Sequence, residues 1–164
     1  MQRSSSAMIK AVGRQILHHK AAGEWIQKSR QAAPPKNMKP GDKLFDKIDV
    51  AIRECKVGIA VFSPMYCDSY FCLHELSLMK ECRKKIVPIF CDVKPSELRV
   101  KDDWSYPMKD IEKFRSALEE AKFTVGVTFD TLRGDWPEFL ANATDVVIKN
   151  LIEVEEEELI KKNQ

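Results

Sequence analysis

The apolar positions of this chain alternate between two spacings. Leu44, Phe45, Ile48, Ala51, Ile52 and Cys55 recur at helical spacing, which predicts a helix with one inward face. Asp42 stands where a side chain can cap that helix, and Lys56 closes it where a cation suits the helix dipole. The pattern then switches. Val57 to Phe62, VGIAVF, is an unbroken apolar run, the mark of a strand buried on both faces. After Ser63-Pro64, either Asp68 or Ser69 can cap a second helix. Its inner face is Leu73, Leu76 and Met79 or Lys80, and Arg83, Lys84 and Lys85 end it as a solvated cationic terminus.

Ile86 to Val93, IVPIFCDV, reads as the next buried strand. Pro88 inside it predicts a place near the sheet edge or the strand start, because proline cannot donate to a ladder. A loop runs from Pro95 through Arg99 to Tyr106. Asp110 then caps a third helix with Ile111, Phe114, Leu118 and Ala121 inward, and Thr124 to Phe129 is a third strand. Gly134 turns the chain and Asp135 caps the last helix. Pro137 stands in the first turn of that helix, where proline is tolerated, and Trp136, Phe139, Leu140, Ala143 and Val147 form its inner face. Helices alternating with strands at this spacing make βαβ units and a parallel sheet of the α/β class.

Charge changes the picture only at the ends. The net charge of +2 makes no case for nucleic acid. Between Met1 and Ala33, however, Arg3, Lys10, Arg14, Lys20, Lys28 and Arg30 face a single acid, Glu24. That segment, with its serines, reads as a disordered or loosely helical tail, and organelle transit peptides share its composition. Ala32-Ala33-Pro34-Pro35 breaks it from the rest. The expected organisation is a basic segment at residues 1–36, a domain over 37–152 and an acidic helical tail over 153–164. No run approaches the length of a membrane span and no secretory signal is visible, so the expected setting is a reduced intracellular one, cytoplasmic or nuclear. Cys55, Cys67, Cys72, Cys82 and Cys91 then read as free, half-buried thiols. Cys67, Cys72, His74 and Cys82 match no standard zinc spacing, and no metal is expected.

One stretch carries candidate chemistry. In open α/β sheets ligands bind beyond the carboxyl ends of strands, and Cys72 and Glu75 follow one loop after the Val57–Phe62 strand. Three residues apart on a helix, they share a face. His74 is expected to point elsewhere, toward solvent. Trp104, Trp136 and Tyr106 are expected to pack in the core or its loops.

The same residues carry a family resemblance. KPGDKLFDKIDVAIRECKVGIAVFS, from Lys39 to Ser63, resembles the BB loop, helix and strand of the TIR (Toll/interleukin-1 receptor) domain in its plant form. Ser63, Tyr66, Ser69, Cys72, Leu73, Glu75 and Leu76 fit the plant pattern S-x-x-Y-x-x-S-x-x-C-L-x-E-L. Pro88, Phe90, Asp92, Val93, Pro95, Ser96 and Arg99 fit P-x-F-x-D-V-x-P-S-x-x-R. The resemblance begins near Met38 and covers no counterpart of the family's first strand, first helix and second strand. It implies a flavodoxin-like parallel sheet reduced to about three strands. It further implies a plant immune signalling role and cleavage of NAD+ at the nicotinamide–ribose bond, with NAD+ as substrate and no cofactor. The catalytic glutamate falls on Glu75, a cysteine linked to cyclic nucleotide formation on Cys72, and BB-loop positions near the substrate on Lys39 and Gly41. The implied partners are other TIR domains, with no membrane and no nucleic acid. The alternative is a catalytically incompetent module that binds or regulates complete TIR domains. Lacking the first strand, the isolated chain is expected to turn over NAD+ weakly or not at all, and to leave the Val57–Phe62 edge open.

Overall fold

A computed structural model describes residues 49–102 and 106–164. Asp42, Leu44, Phe45, Ile48 and the Lys39–Gly41 turn, like Trp104, lie outside the described residues. Helical residues 49–54 form the described part of α1. There follow β1 (Val57–Phe62), a 3₁₀ turn (Tyr66–Asp68), α2 (Tyr70–Glu81) and β2 (Lys85–Cys91). A second 3₁₀ turn (Pro95–Glu97), α3 (Met108–Lys122), β3 (Val127–Phe129) and α4 (Trp136–Lys162) complete the order.

The three strands are parallel, in the order β1-β2-β3. This is the open α/β sheet that the alternating pattern predicted. Side chains alternate across it. Ala60, Phe62 and Phe90 join a core with Leu73 and Leu76 of α2 and with Ile111, Phe114, Ala117, Leu118 and Ala121 of α3. The opposite face takes α4, which packs on β1 and β2 through Phe139, Ala143 and Val147. Leu98 and Val100 are also buried, so the loop after β2 supplies core residues that no periodicity announced.

Several expectations need correction. Pro88 lies midway along β2, the central strand, and not at an edge or a strand start. Its carbonyl faces Gly126, where an added Cβ would come within 2.4 Å of that oxygen. In a strand, N–H and C=O of one residue point to the same side. The donor that proline lacks is therefore on the β3 side, and the β3 ladder starts only at Ile89↔Val127. Among the described residues no β3 residue is paired with Pro88, so the proline breaks no ladder bond there. β3 begins at Val127 and not at Thr124, and Val125 is 96% exposed.

β2 also starts one residue before Ile86 and ends before Asp92, which turns into the left-handed region at φ 55. The cations at the end of α2 are not a solvated terminus throughout, because Lys84 Nζ donates to the Arg53 carbonyl and Lys85 pairs with Glu153. Asp110 does not cap α3. The helix starts earlier, after Pro107, and Asp110 sits in its first turn, where the dipole favours an acid and where it accepts the Tyr70 hydroxyl at 3.0 Å. Ala51, Trp136 and Leu140, assigned to inner faces, are exposed. Of the two candidate caps before α2, Ser69 is used, its hydroxyl accepting the Cys72 N–H at 3.3 Å. Asp135 caps α4 as expected, accepting from the Glu138 N–H at 2.8 Å.

The acidic run continues α4 without a break to Lys162. Past Val147 no α4 residue is fully buried. That half is held by exposed ion pairs: Lys56 with Glu155 and Glu158, and Lys85 with Glu153. Such pairs are weak and are screened by salt. Amide hydrogen exchange should therefore be faster over residues 150–162 than over α2, and the difference should widen in 0.5 M salt, an ionic strength of roughly half molar being ample to screen exposed pairs. Uniform protection along α4 at both salt levels would contradict this.

Candidate functional site

The carboxyl end of β1 builds a platform from aromatic rings. Phe62, fully buried, stacks on Phe90 of β2 with centroids 5.2 Å apart, and Tyr66 tilts against it at 4.4 Å. The Tyr66 hydroxyl donates to the Cys72 carbonyl at 3.0 Å, which seats the first turn of α2 on this platform. The loop between is pinned from the far side: Tyr106 donates to the Cys67 carbonyl at 2.8 Å, and Lys101 pairs with Asp68. Leu73 and Leu76, both fully buried, fix the helix rotation. The rotation of α2 places Glu75 half-buried beside Tyr66 and Cys72.

Burial pushes the Glu75 carboxyl above its ordinary range, and the charge of His74 pulls it partly back. The Cys72 thiol is likewise raised by burial, against a lowering contribution from the Ser69 hydroxyl. It is a poor thiolate in this setting. Tyr66 is held neutral by complete burial, and burial also lifts Cys67 and Cys91 to about 11. Among the described residues the Glu75 carboxylate has no hydrogen-bond or ion-pair partner, and no fully buried polar side-chain atom lacks one. Its oxygens therefore reach open solvent. A carboxylate that is mostly desolvated, unpartnered and still accessible can receive a cation or stabilise a developing positive charge.

Not every predicted residue joins this group. Glu75 and Cys72 do, whereas Lys39 and Gly41 lie outside the described residues. His74 is not turned out to solvent. Its Nε2 lies 3.1 Å from Asp49 Oδ1 of α1, its ring stacks on Tyr70 with centroids 6.2 Å apart, and its side chain is only 28% exposed. The Asp49–His74 pair was not legible, since it joins residues from two helices separated by a strand. Cys67, Cys72, His74 and Cys82 form no joint ligand set, and among the described residues no three such side chains come together. Tyr106 packs as expected, on Tyr70 and Phe114, whereas Trp136 is exposed and only lays its ring edge-on against Phe129 and Phe139. Asp92 ties β2 to the turn after β3: its carboxylate accepts the Thr131 N–H at 2.8 Å and the Thr131 hydroxyl.

The raised carboxyl has a consequence for stability. The fold binds the Glu75 proton more tightly than the unfolded chain does. Its contribution is thus favourable at acid pH and is lost as pH rises through the raised folded value. Glu75→Gln, neutral and of the same shape, should raise the melting temperature by a few degrees at pH 7, where the wild-type group is ionised. At pH 4, near the ordinary carboxyl range of about 4.3, the gain should nearly vanish. Thermal melts at both values check this, and a loss of stability at pH 7 would contradict it.

A family model described as "TIR domain" matches residues 18–107, starting upstream of the motif blocks and of the described residues. Among curated proteins, "Probable 2' cyclic ADP-D-ribose synthase BdTIR" of Brachypodium distachyon is 49% identical over 123 residues, covering 73% of this chain and 55% of that protein. "Disease resistance protein RPP4" of Arabidopsis thaliana is 40% identical over 60 residues, covering 34% of this chain and 5% of RPP4. The chain thus spans about half of the first relative and a small part of the second. Among solved structures, the TIR domains of "the activated Roq1 resistosome directly recognizing the pathogen effector XopQ" superpose with a TM-score of 0.50 at 22% identity. That likeness covers 72% of this chain and 79% of the Roq1 chain and concerns the fold.

Proposed function

The chain belongs to the TIR-domain family, and from that premise we propose that it cleaves NAD+ at the nicotinamide–ribose bond, with Glu75 as the catalytic carboxylate. In this reading the C1′–N bond breaks, nicotinamide leaves as a neutral base, and the ribosyl carbon takes on oxocarbenium character. The ionised Glu75 stabilises that charge. Water then adds to the carbon and releases a proton, giving ADP-ribose, or one of the substrate's own hydroxyls adds and closes a ring. The kinship to a protein named as a cyclic ADP-ribose synthase supports the second course as well as the first. The observation that carries the reading is the Glu75 carboxylate itself, half-buried on the helix that follows β1 and without a hydrogen-bond partner among the described residues. Cys72 lies on the same turn and contributes shape to the site rather than a thiolate.

Nicotinamide release by the purified chain tests this directly. Slow release is expected, falling by about 100-fold or more in Glu75→Ala, the loss typical when one preorganised electrostatic group is removed. Release that survives Glu75→Ala unchanged, or no release at any chain concentration, would overturn the assignment.

A second property, association with other TIR domains, is favoured by Ile148, Ile152 and Leu159, which are 40–59% exposed on one side of α4. Size-exclusion chromatography over a hundredfold concentration range, on the order of what separates weak from stable association, should show a concentration-dependent shift. An invariant monomer would remove this proposal.

A further inference from the structure

We propose that this chain associates head to tail with further copies of itself, Leu132 of one copy filling a pocket at the amino end of the next copy's sheet. The contact is separate from the exposed face of α4 and does not rest on the role given to Glu75. The pocket follows from the shortness of β3. β2 begins at Lys85, but its pairing with β3 begins only at Ile89↔Val127. Beside the first residues of β2 a gap therefore remains, bounded by the end of α3 and by Val146 and Asn150 of α4. It is a cavity of about 280 Å³, with Ile86, Val87 and Ala121 among its apolar walls. Val125, which also lines it, is 96% exposed, and Phe123 just before it in the chain is 86% exposed. Large apolar side chains left bare around a cavity mark a contact surface.

The knob lies at the other end of the same strand. Leu132, 93% exposed, follows the end of β3 at Phe129, whereas Val125 precedes its start at Val127. The turn that carries Leu132 is fixed. Asp130 Oδ1 accepts the N–H groups of Leu132 and Arg133 at 2.9 and 3.0 Å, and the Asp130 carbonyl accepts the Gly134 N–H at 2.8 Å. Asp92 holds Thr131 from the β2 side. An apolar side chain on a preset turn loses little freedom when it binds. Knob and pocket sit at opposite ends of one sheet, so a chain cannot fill its own pocket and a second copy can. The charges match as well. Arg133 and Asp135 stand exposed beside Leu132, and Glu120 and Lys85 stand at the pocket, so each side offers both signs to the other. Glu120 and Lys85 are held only by exposed pairs with Lys80 and Glu153, which exchange at little cost. A contact between two unlike patches is heterologous, and it repeats from copy to copy.

The test is sedimentation velocity on the full chain carrying Ile152→Asp, which removes the exposed face of α4 as a source of association. That parent should form oligomers that grow with concentration. Adding Leu132→Asp, which removes the knob, or Val125→Asp, which charges the pocket, should weaken association by about tenfold or more, the order expected when one apolar anchor is lost. An equimolar mixture of the two variants should form a dimer and nothing larger, because one intact Leu132 then meets one intact pocket. Both positions are exposed, so the thermal melts of the variants should match the parent's. Where one does not, Leu132→Ser or Val125→Ser takes its place. A monomeric parent, a single variant that associates as the parent does, or a mixture that stays monomeric or grows past the dimer would overturn the inference. If the wild-type chain associates while the parent is monomeric, the α4 face stands and this contact falls.

Discussion

The stacking of Phe62 on Phe90 joins the carboxyl ends of β1 and β2, and the rest of the structure depends on it. The two rings come from neighbouring parallel strands, at the register pair Phe62↔Phe90. Tyr66 lies on that pair, and its hydroxyl holds the first turn of α2. Leu73 and Leu76 then lock the helix against the same core. Aromatic rings of this size dominate a core's energetics, and close packing lets them fix a helix to within a fraction of an ångström. Moving the platform would move Glu75.

The position of Glu75 is a compromise between two demands. Burial at that point of α2 favours a neutral carboxyl, and the proposed role would need an ionised one. The fold resolves the conflict partly, by leaving the carboxylate oxygens open to solvent. Stability given up at such a position is common where function requires a charge in a desolvated setting. By contrast, the distal half of α4 costs the fold little, because it rests on water-exposed ion pairs and not on buried surface.

Much of this fold was legible in the sequence. VGIAVF was read as β1 with both ends correct, and Ile111, Phe114, Leu118 and Ala121 all point inward on α3. Hydrophobic spacing is a local record of which side faces the core. The errors share a cause. Pro88 looked like an edge residue because its neighbours across the sheet, and the late start of β3 at Val127, cannot be read from its own strand. Asp110 looked like a cap because the start set by Pro107 and the pull of the Tyr70 hydroxyl are tertiary facts. Leu98 and Val100 looked like loop residues because single apolar positions carry no period.

For the site, the sequence by itself determined that a glutamate would follow a strand end on a capped helix. Strand, loop and helix are contiguous, and Ser69, Cys72 and Glu75 lie within two turns of one another. What it left open was the state of that glutamate. Only the tertiary structure decided that Glu75 has no hydrogen-bond partner among the described residues, that Tyr66 holds the first turn of its helix, and that His74 meets Asp49. The reason is physical: a carboxyl group's ionisation is set by the burial and charge around it, and those come from residues remote in the chain that only packing brings within reach.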